Sequence, residues 1–242
     1  MERGSYKANN RQQRARHNSG AGKIRKSLLI VICLIVLVCG KLLIDKINID
    51  DLWDRSSTKA DIWSLILVNR QNTIPEDYEV DLTQLSNGQN VDTRIYPSLQ
   101  AMFDAARADG IYPVVASGYR TADYQQNLLD EKVEEYKAQG YSAAKAQELA
   151  EESVAVPGTS EHQLGIAVDI NADADQSTSD EVYGWLHKNG YKYGFILRYP
   201  SDKADITGTI YEPWHYRYVG VEAAKEIYTQ GICLEEYLDN MK

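Results

Sequence analysis

Cysteine is scarce in this 242-residue chain: there are three, and two of them, Cys33 and Cys39, fall inside one apolar run near the N-terminus. Cys233 stands alone in the rest of the chain, without an evident disulfide partner. The body must therefore be held by its own apolar core, with Cys233 as a small buried hydrophobe. Glycine-rich phosphate loops are missing, which removes the sequence basis for a nucleotide cofactor. Ser117 lacks a G-x-S-x-G elbow and Cys233 has no histidine near it in sequence, so neither is a good nucleophile candidate. No fixed-period repeat is present, and the length suits one substantial domain with appendages.

Charge is distributed unevenly. Residues 1–26 hold eight Lys or Arg against Glu2 alone, and the remainder carries 18 basic and 34 acidic residues, for a formal net charge of -9. A basic tail can bind nucleic acid, but this one abuts an apolar run from Ser27 to Gly40 that resumes after Lys41 with Leu42, Leu43 and Ile44. Lys and Arg beside such a run mark the cytoplasmic flank of a membrane span, and the run approaches the ~20 residues needed to cross the hydrocarbon core. The sequence thus predicts a disordered basic cytoplasmic tail over 1–26 and a transmembrane anchor over 27–44. A linker over 45–60 and an extracytoplasmic domain over 61–242 follow, with no nucleic-acid partner. A cleaved signal peptide is the alternative, disfavoured by the long preceding segment and the missing small-x-small site. Ile32 and Val38 disfavour a lipoprotein site at Cys33 or Cys39.

Along the body, Trp63 to Val68 reads as a first strand, followed by a turn-rich segment around Pro75 and Asn87-Gly88. Leu99, Met102, Phe103 and Ala106 fall at helical spacing, with Pro97 in the first turn and Gly110 at the end, giving a helix over 97–109. Tyr112 to Ala116 fits a strand, where Pro113 requires its start or an edge position. Thr121 and Ser142 are suited to cap two helices, the first closed by Gly140. In Gly165–Asn171 a period of two sets Ala167, Asp169 and Asn171 against Ile166, Val168 and Ile170. Further elements are a helix over 180–188, strands over 193–198 and 214–219, and a helix over 222–229. Short strands among helices predict an α+β domain with a small, largely antiparallel sheet flanked by helices, preceded by one N-terminal transmembrane helix.

Four histidines are available for chemistry. His17 lies in the tail and His187 on a solvent-facing helix. His162 precedes Asp169 by seven positions, and His215 follows Glu212 by three. A catalytic zinc takes three nitrogen or oxygen ligands and keeps a position for water, a requirement His162, Asp169 and His215 would meet, with Glu212 left as the base. Each feature alone has a plainer explanation. A His–Asp pair is commonly a hydrogen-bonded surface pair, Glu212 a solvated carboxylate, Trp214 a core residue, and Tyr216 and Tyr218 its continuing apolar face. The combination is what favours a metal site.

Three blocks in order, Ser117-Gly-Tyr-Arg-Thr121, Ser160-Glu-His-Gln-Leu-Gly-Ile-Ala-Val-Asp169 and Glu212-Pro-Trp-His215, resemble the VanY-type D-alanyl-D-alanine carboxypeptidases. The likeness extends over roughly residues 62–235 and meets that family's S-x-H-x-x-G-x-A-x-D and E-x-W-H patterns. It implies the hedgehog/D-Ala-D-Ala-peptidase fold, one catalytic Zn2+ on His162, Asp169 and His215, and Glu212 as catalytic base. Arg120 matches the family's arginine, which can hold a substrate carbonyl or carboxylate; its plainer role is a surface ion pair. Gln125 and Ser160 resemble further contacts to the peptide terminus, or are local caps. Gly118 and Gly165 are expected to serve backbone geometry, and Tyr119 to pack beneath the site. The implied substrate is the peptidoglycan stem peptide, cut before its terminal D-alanine. Similar sequences include L,D-carboxypeptidases acting on tetrapeptide stems, and a non-catalytic zinc-containing wall-binding module is the rival from another class.

Overall fold

A computed structural model describes residues 62–242. The chain divides into two units, residues 1–59 and residues 60–242. The expected tail, anchor and linker lie outside the described residues. Among the described residues, no helix is long and apolar enough to cross a membrane.

The elements run in the order β1 (Leu82–Gln84), β2 (Asn90–Asp92), α1 (Tyr96–Ala108), β3 (Pro113–Ser117), α2 (Ala122–Ala138) and α3 (Ala143–Ser153). They continue with β4 (Ala167–Ala172), α4 (Ser179–Asn189), β5 (Phe195–Leu197), α5 (Ala204–Thr207), β6 (His215–Tyr218), α6 (Val221–Gln230) and α7 (Leu234–Asn240). Short 3-10 turns occupy Ile62–Leu65, Glu161–Leu164 and Gly190–Tyr193. Strands β3, β4, β6 and β5 form one antiparallel sheet in that order, and β1 and β2 form a separate hairpin. The expected α+β class with small antiparallel sheets flanked by helices is what the chain adopts.

Local chemistry explains the helix starts. Thr121 accepts from the Tyr124 amide at 3.1 Å and Ser142 from the Lys145 amide at 3.3 Å, each satisfying a donor with no partner inside the helix. Pro97 occupies the first turn of α1, where its missing N–H costs nothing. At the other end, Gly110 adopts φ 79°, open to glycine without steric cost. Pro113 opens β3 on the sheet edge, as its lack of a donor requires.

The main core lies on one face of the four-stranded sheet. There Val115, Val168, Ile170, Phe195 and Tyr216 meet Leu99, Met102 and Ala106 of α1 and Val182 and Leu186 of α4. The alternation expected of β4 is observed: Val168 and Ile170 enter this core, while Asp169 faces the opposite side. A second cluster joins Ile196 and Val219 to Ala224, Ile227 and Leu234. A third holds α2 to α3 through Leu129, Val133, Ala146 and Ala150.

Two expectations are corrected. Trp63–Val68 is not a strand: it begins as a 3-10 turn, and its apolar side chains divide between cores. Trp63, Ile66 and Val68 join the first cluster, whereas Leu65 and Leu67 join the second. The carbonyls of Ser64 and Ile66 accept from the Arg217 side chain instead of from a neighbouring strand. Trp214 is not core either. It is 36 % exposed and borders a cleft. The hairpin β1–β2, read from sequence only as turns, closes around Gly88 at φ 86°.

Candidate metal centre and cleft

Strand register assembles the site. Ser117 on β3 faces Asp169 on β4, and Asp169 faces His215 on β6, so three neighbouring strands deliver their residues at one level. A register irregularity between Val115 and Ser117 bends the end of β3, a device that re-aims side chains beside functional sites. His162 arrives on the 3-10 turn Glu161–Leu164, closed by Gly165 at φ 72°. A Cβ on Gly118 would stand 2.2 Å from the Asn90 carbonyl oxygen, so the expected backbone role of Gly118 has a steric cause. The Gly118 carbonyl in turn lies 2.7 Å from His162 Nδ1 and leaves Nε2 facing the cleft.

His162, Asp169 and His215 each offer a ligand atom, all within 4.8 Å of one another. His162 Nε2 is 3.4 Å from Asp169 Oδ2, and His215 Nδ1 is 3.3 Å from Asp169 Oδ1. The imidazoles meet edge to face at 4.9 Å and are 3 % and 5 % exposed. Asp169 Oδ1 is buried without a hydrogen bond; His215 Nδ1 is near it but not aligned to donate. Two imidazole nitrogens and an orphaned carboxylate oxygen suit a divalent ion such as zinc, so the residues present fit the metal implied by the sequence.

Electrostatics favour a cation at the same place. Burial pushes the Asp169 carboxyl up, but the two histidines outweigh it and hold the group well below the usual carboxylate range. Burial pushes His162 down, against the pull of Asp169, and leaves it below its ordinary value, as a neutral nitrogen ligand requires. In His215 burial is overcome by the neighbouring carboxylates of Asp169, Glu161 and Glu212, raising its pKa to about 9.

Glu212 Oε2 stands 3.5 Å from His215 Nδ1 with its side chain 13 % exposed. Burial raises its pKa, partly offset by His215. Arg120 reaches the same cleft, donating from Nη2 to Asp169 Oδ2 at 2.6 Å and from Nε to Ser117 Oγ at 2.8 Å. It is therefore engaged in an ion pair inside the cleft, with its remaining N–H groups left for a ligand. Gln125 is 1 % exposed and donates from Nε2 to the Ala155 carbonyl at 2.8 Å, while its buried Oε1 has no partner. Ser160 is 4 % exposed and makes no side-chain cap to the turn it precedes. These residues line a cavity of about 430 Å³ together with Tyr199 and Trp214. His187 is exposed on α4, away from this cavity, and Cys233 is buried and free.

Sequence reasoning missed Glu161. Its side chain is fully buried, accepts from Arg198 Nε at 2.7 Å, and lies 2.9 Å from Arg217 Nη1 and 3.4 Å from His215 Nε2. A signal was present: Arg198 and Arg217 sit at or within short strand segments that are otherwise apolar or aromatic, and a buried arginine requires a buried counter-charge.

A mixed α+β domain whose cleft gathers two histidines and an aspartate beside a further carboxylate is of the metallopeptidase class. The chain belongs to the VanY family of D-alanyl-D-alanine carboxypeptidases, whose model matches residues 88–221. A D-alanyl-D-alanine carboxypeptidase of Enterococcus faecalis (strain ATCC 700802 / V583) is 67 % identical over 180 residues, covering 74 % of this chain and 67 % of that protein. A crystal structure of a mutant of the vancomycin resistance D,D-pentapeptidase VanY, from a VanB-type resistance cassette and in complex with Zn(II), superposes with a TM-score of 0.71. It is 68 % identical and covers 73 % of this chain and 99 % of that one. The LdcB LD-carboxypeptidase structure gives a TM-score of 0.61 at 38 % identity, covering 72 % and 84 %.

Proposed function

We propose that this chain is a zinc-dependent carboxypeptidase that removes the terminal D-alanine from peptidoglycan stem peptides ending in D-Ala-D-Ala. The observation that carries the reading is the convergence of His162, Asp169 and His215 within 4.8 Å in a cleft that also holds Glu212. Zinc on those three residues, when bound, supplies a Lewis acid that polarises the scissile carbonyl and acidifies water. Glu212 takes the proton of the attacking water and returns it to the amine of the leaving D-alanine. A carboxylate raised above its ordinary pKa by burial suits both halves of that transfer. Arg120 holds substrate oxygen with a fixed charge, and Gln125 and Ser160 contact the peptide terminus from the cleft wall.

The same reading extends to the N-terminal segments. Residues 1–26 form a basic cytoplasmic tail, 27–44 a single-pass anchor and 45–60 a tether, which together hold the catalytic domain of residues 61–242 outside the cytoplasm at the cell membrane. The support is the Lys/Arg asymmetry around the apolar run. A tether of roughly fifteen residues spans a few nanometres, enough to reach a wall polymer.

A second specificity, removal of D-alanine from tetrapeptide stems by L,D cleavage, is favoured by the likeness to LdcB. Incubating the zinc-loaded protein with pentapeptide and tetrapeptide stems and weighing the products separates the two. Glu212→Gln should lose about 10²- to 10⁴-fold in turnover while retaining zinc. Unchanged turnover removes Glu212 as base; no cleavage of either stem by the unmutated protein favours a wall-binding module.

A further inference from the structure

The two imidazoles are held differently. His162 presents Nε2 because a backbone carbonyl, that of Gly118, lies 2.7 Å from its Nδ1. His215 presents the opposite nitrogen, with Nδ1 facing Asp169 and Glu212. Its Nε2 is 3.4 Å from Glu161 Oε2. A carboxylate can only accept, so this contact is made by a ring proton on Nε2, while Nδ1, hydrogen-bonded to neither of the carboxylates it faces, is the nitrogen turned toward the candidate metal position.

Glu161 is itself fixed. Its side chain is fully buried on the 3-10 turn that also carries His162. Arg198 donates to its Oε1 at 2.7 Å and Arg217 Nη1 lies 2.9 Å from the same oxygen, both arginines being fully buried. Arg198 is then clamped from α7 by Glu235, through Nη1 at 2.9 Å and Nη2 at 2.7 Å. Arg217 donates from Nη2 to the carbonyls of Ser64 and Ile66, each at 2.8 Å. One oxygen of Glu161 is thus occupied by the arginines and the other is aimed at His215.

We propose that Glu161 is a positioning residue of the metal centre: it fixes the tautomer and ring orientation of His215, so that Nδ1 and not Nε2 is the ligand nitrogen. The inference rests on the reading of His162, Asp169 and His215 as the zinc ligands. Neighbours that accept the second N–H of a ligating histidine orient the ring and raise its basicity, and their loss typically weakens metal binding 10- to 100-fold.

Two measurements on the full chain test this. In a long-range 1H–15N correlation spectrum of the 15N-histidine-labelled, zinc-loaded protein, His215 should carry its proton on Nε2 and its metal-shifted nitrogen at Nδ1. The reverse assignment overturns the proposal without any mutation. In chelator competition, Glu161→Gln should raise the zinc dissociation constant about 10- to 100-fold and alter the visible spectrum of the cobalt-substituted protein. A constant within threefold of the unmutated value and an unchanged cobalt spectrum also overturn it. If Glu161→Gln does not fold, the tautomer measurement decides alone. Failure of the unmutated protein to bind zinc overturns the metal reading itself, whereas zinc binding with the wrong tautomer overturns only the role of Glu161.

Discussion

Replacing Arg198 by methionine removes one cation from a cluster in which Glu161 and Glu235 balance Arg198 and Arg217. Both arginines and Glu161 are fully buried, and the Glu235 side chain is 11 % exposed. The variant keeps most of the side-chain volume but loses three hydrogen bonds and leaves an excess negative charge. Breaking a buried ion pair from one side costs about 3–5 kcal/mol, chiefly because the surviving charge is stranded away from water. A folded unit of roughly 180 residues has an unfolding entropy of about 0.4 kcal/mol/K, so the cost corresponds to a fall in Tm of about 8–13 °C. Calorimetric or circular-dichroism melts with chelator present isolate this from stabilisation by bound zinc. Arg198→Met combined with Glu235→Gln restores charge balance and should melt above the single variant, a non-additivity expected of groups sharing one network. A fall of less than about 3 °C for Arg198→Met, or additive losses in the double variant, would refute the reasoning.

Gly118→Ala should cost about 1–3 kcal/mol, since its Cβ would stand 2.2 Å from the Asn90 carbonyl oxygen, and it should weaken zinc binding through the shifted Gly118 carbonyl. By contrast, Gly184→Ala, inside α4 with open space around it, should stabilise by about 0.5–1 kcal/mol; paired melts of the two variants check both signs. Burial raises the Glu161 carboxyl but Arg198 and Arg217 outweigh it, so its folded pKa lies below the unfolded value. The stability it contributes is complete above the ordinary carboxylate range and is lost as pH falls below it. Metal-free melts from pH 7 to pH 3 should therefore decline in acid, and more steeply than those of Glu161→Gln; equal slopes would contradict this. Chelation should abolish D-alanine release, and stoichiometric zinc should restore it, read by mass spectrometry of the stem peptide.

What was legible in the sequence was what local chemistry determines. Thr121, Ser142 and Pro97 mark helix starts because each resolves the unpaired donors at a helix terminus. The alternation in β4 points Asp169 away from the core because side chains on a strand have a period of two. The candidate ligands were legible as residue types, while their convergence depends on strand register, which sets Asp169 opposite His215 across 46 residues of sequence. The segment 63–68 misled because an apolar run can fill two separate cores as readily as one sheet, and periodicity carries no information about which. Trp214 misled because it stands at the end of the β6 ladder, where the cleft opens and the core no longer covers the indole. Glu161 stayed hidden because nothing within a few residues of it reveals the two arginines that neutralise it.

Those arginines bear on how such a centre is built at all. Asp169, Glu212 and Glu161 surround His215, and concentrating carboxylates in a poorly solvated cleft is unfavourable before any metal arrives. Arg120 offsets the charge from the cleft side, pairing with Asp169, while Arg198 and Arg217 offset it from behind, pairing with Glu161. The division of labour has a chemical reason. A cation behind the histidine holds Glu161 ionised, and therefore an acceptor for Nε2, without competing for Nδ1. A cation in front lies among the groups a substrate must meet. Burying two guanidinium groups gains little stability over apolar side chains of similar volume. Their presence beside the ligand residue, Arg217 on β6 itself and Arg198 just after β5, is accordingly better accounted for by the orientation of His215 than by the strength of the core.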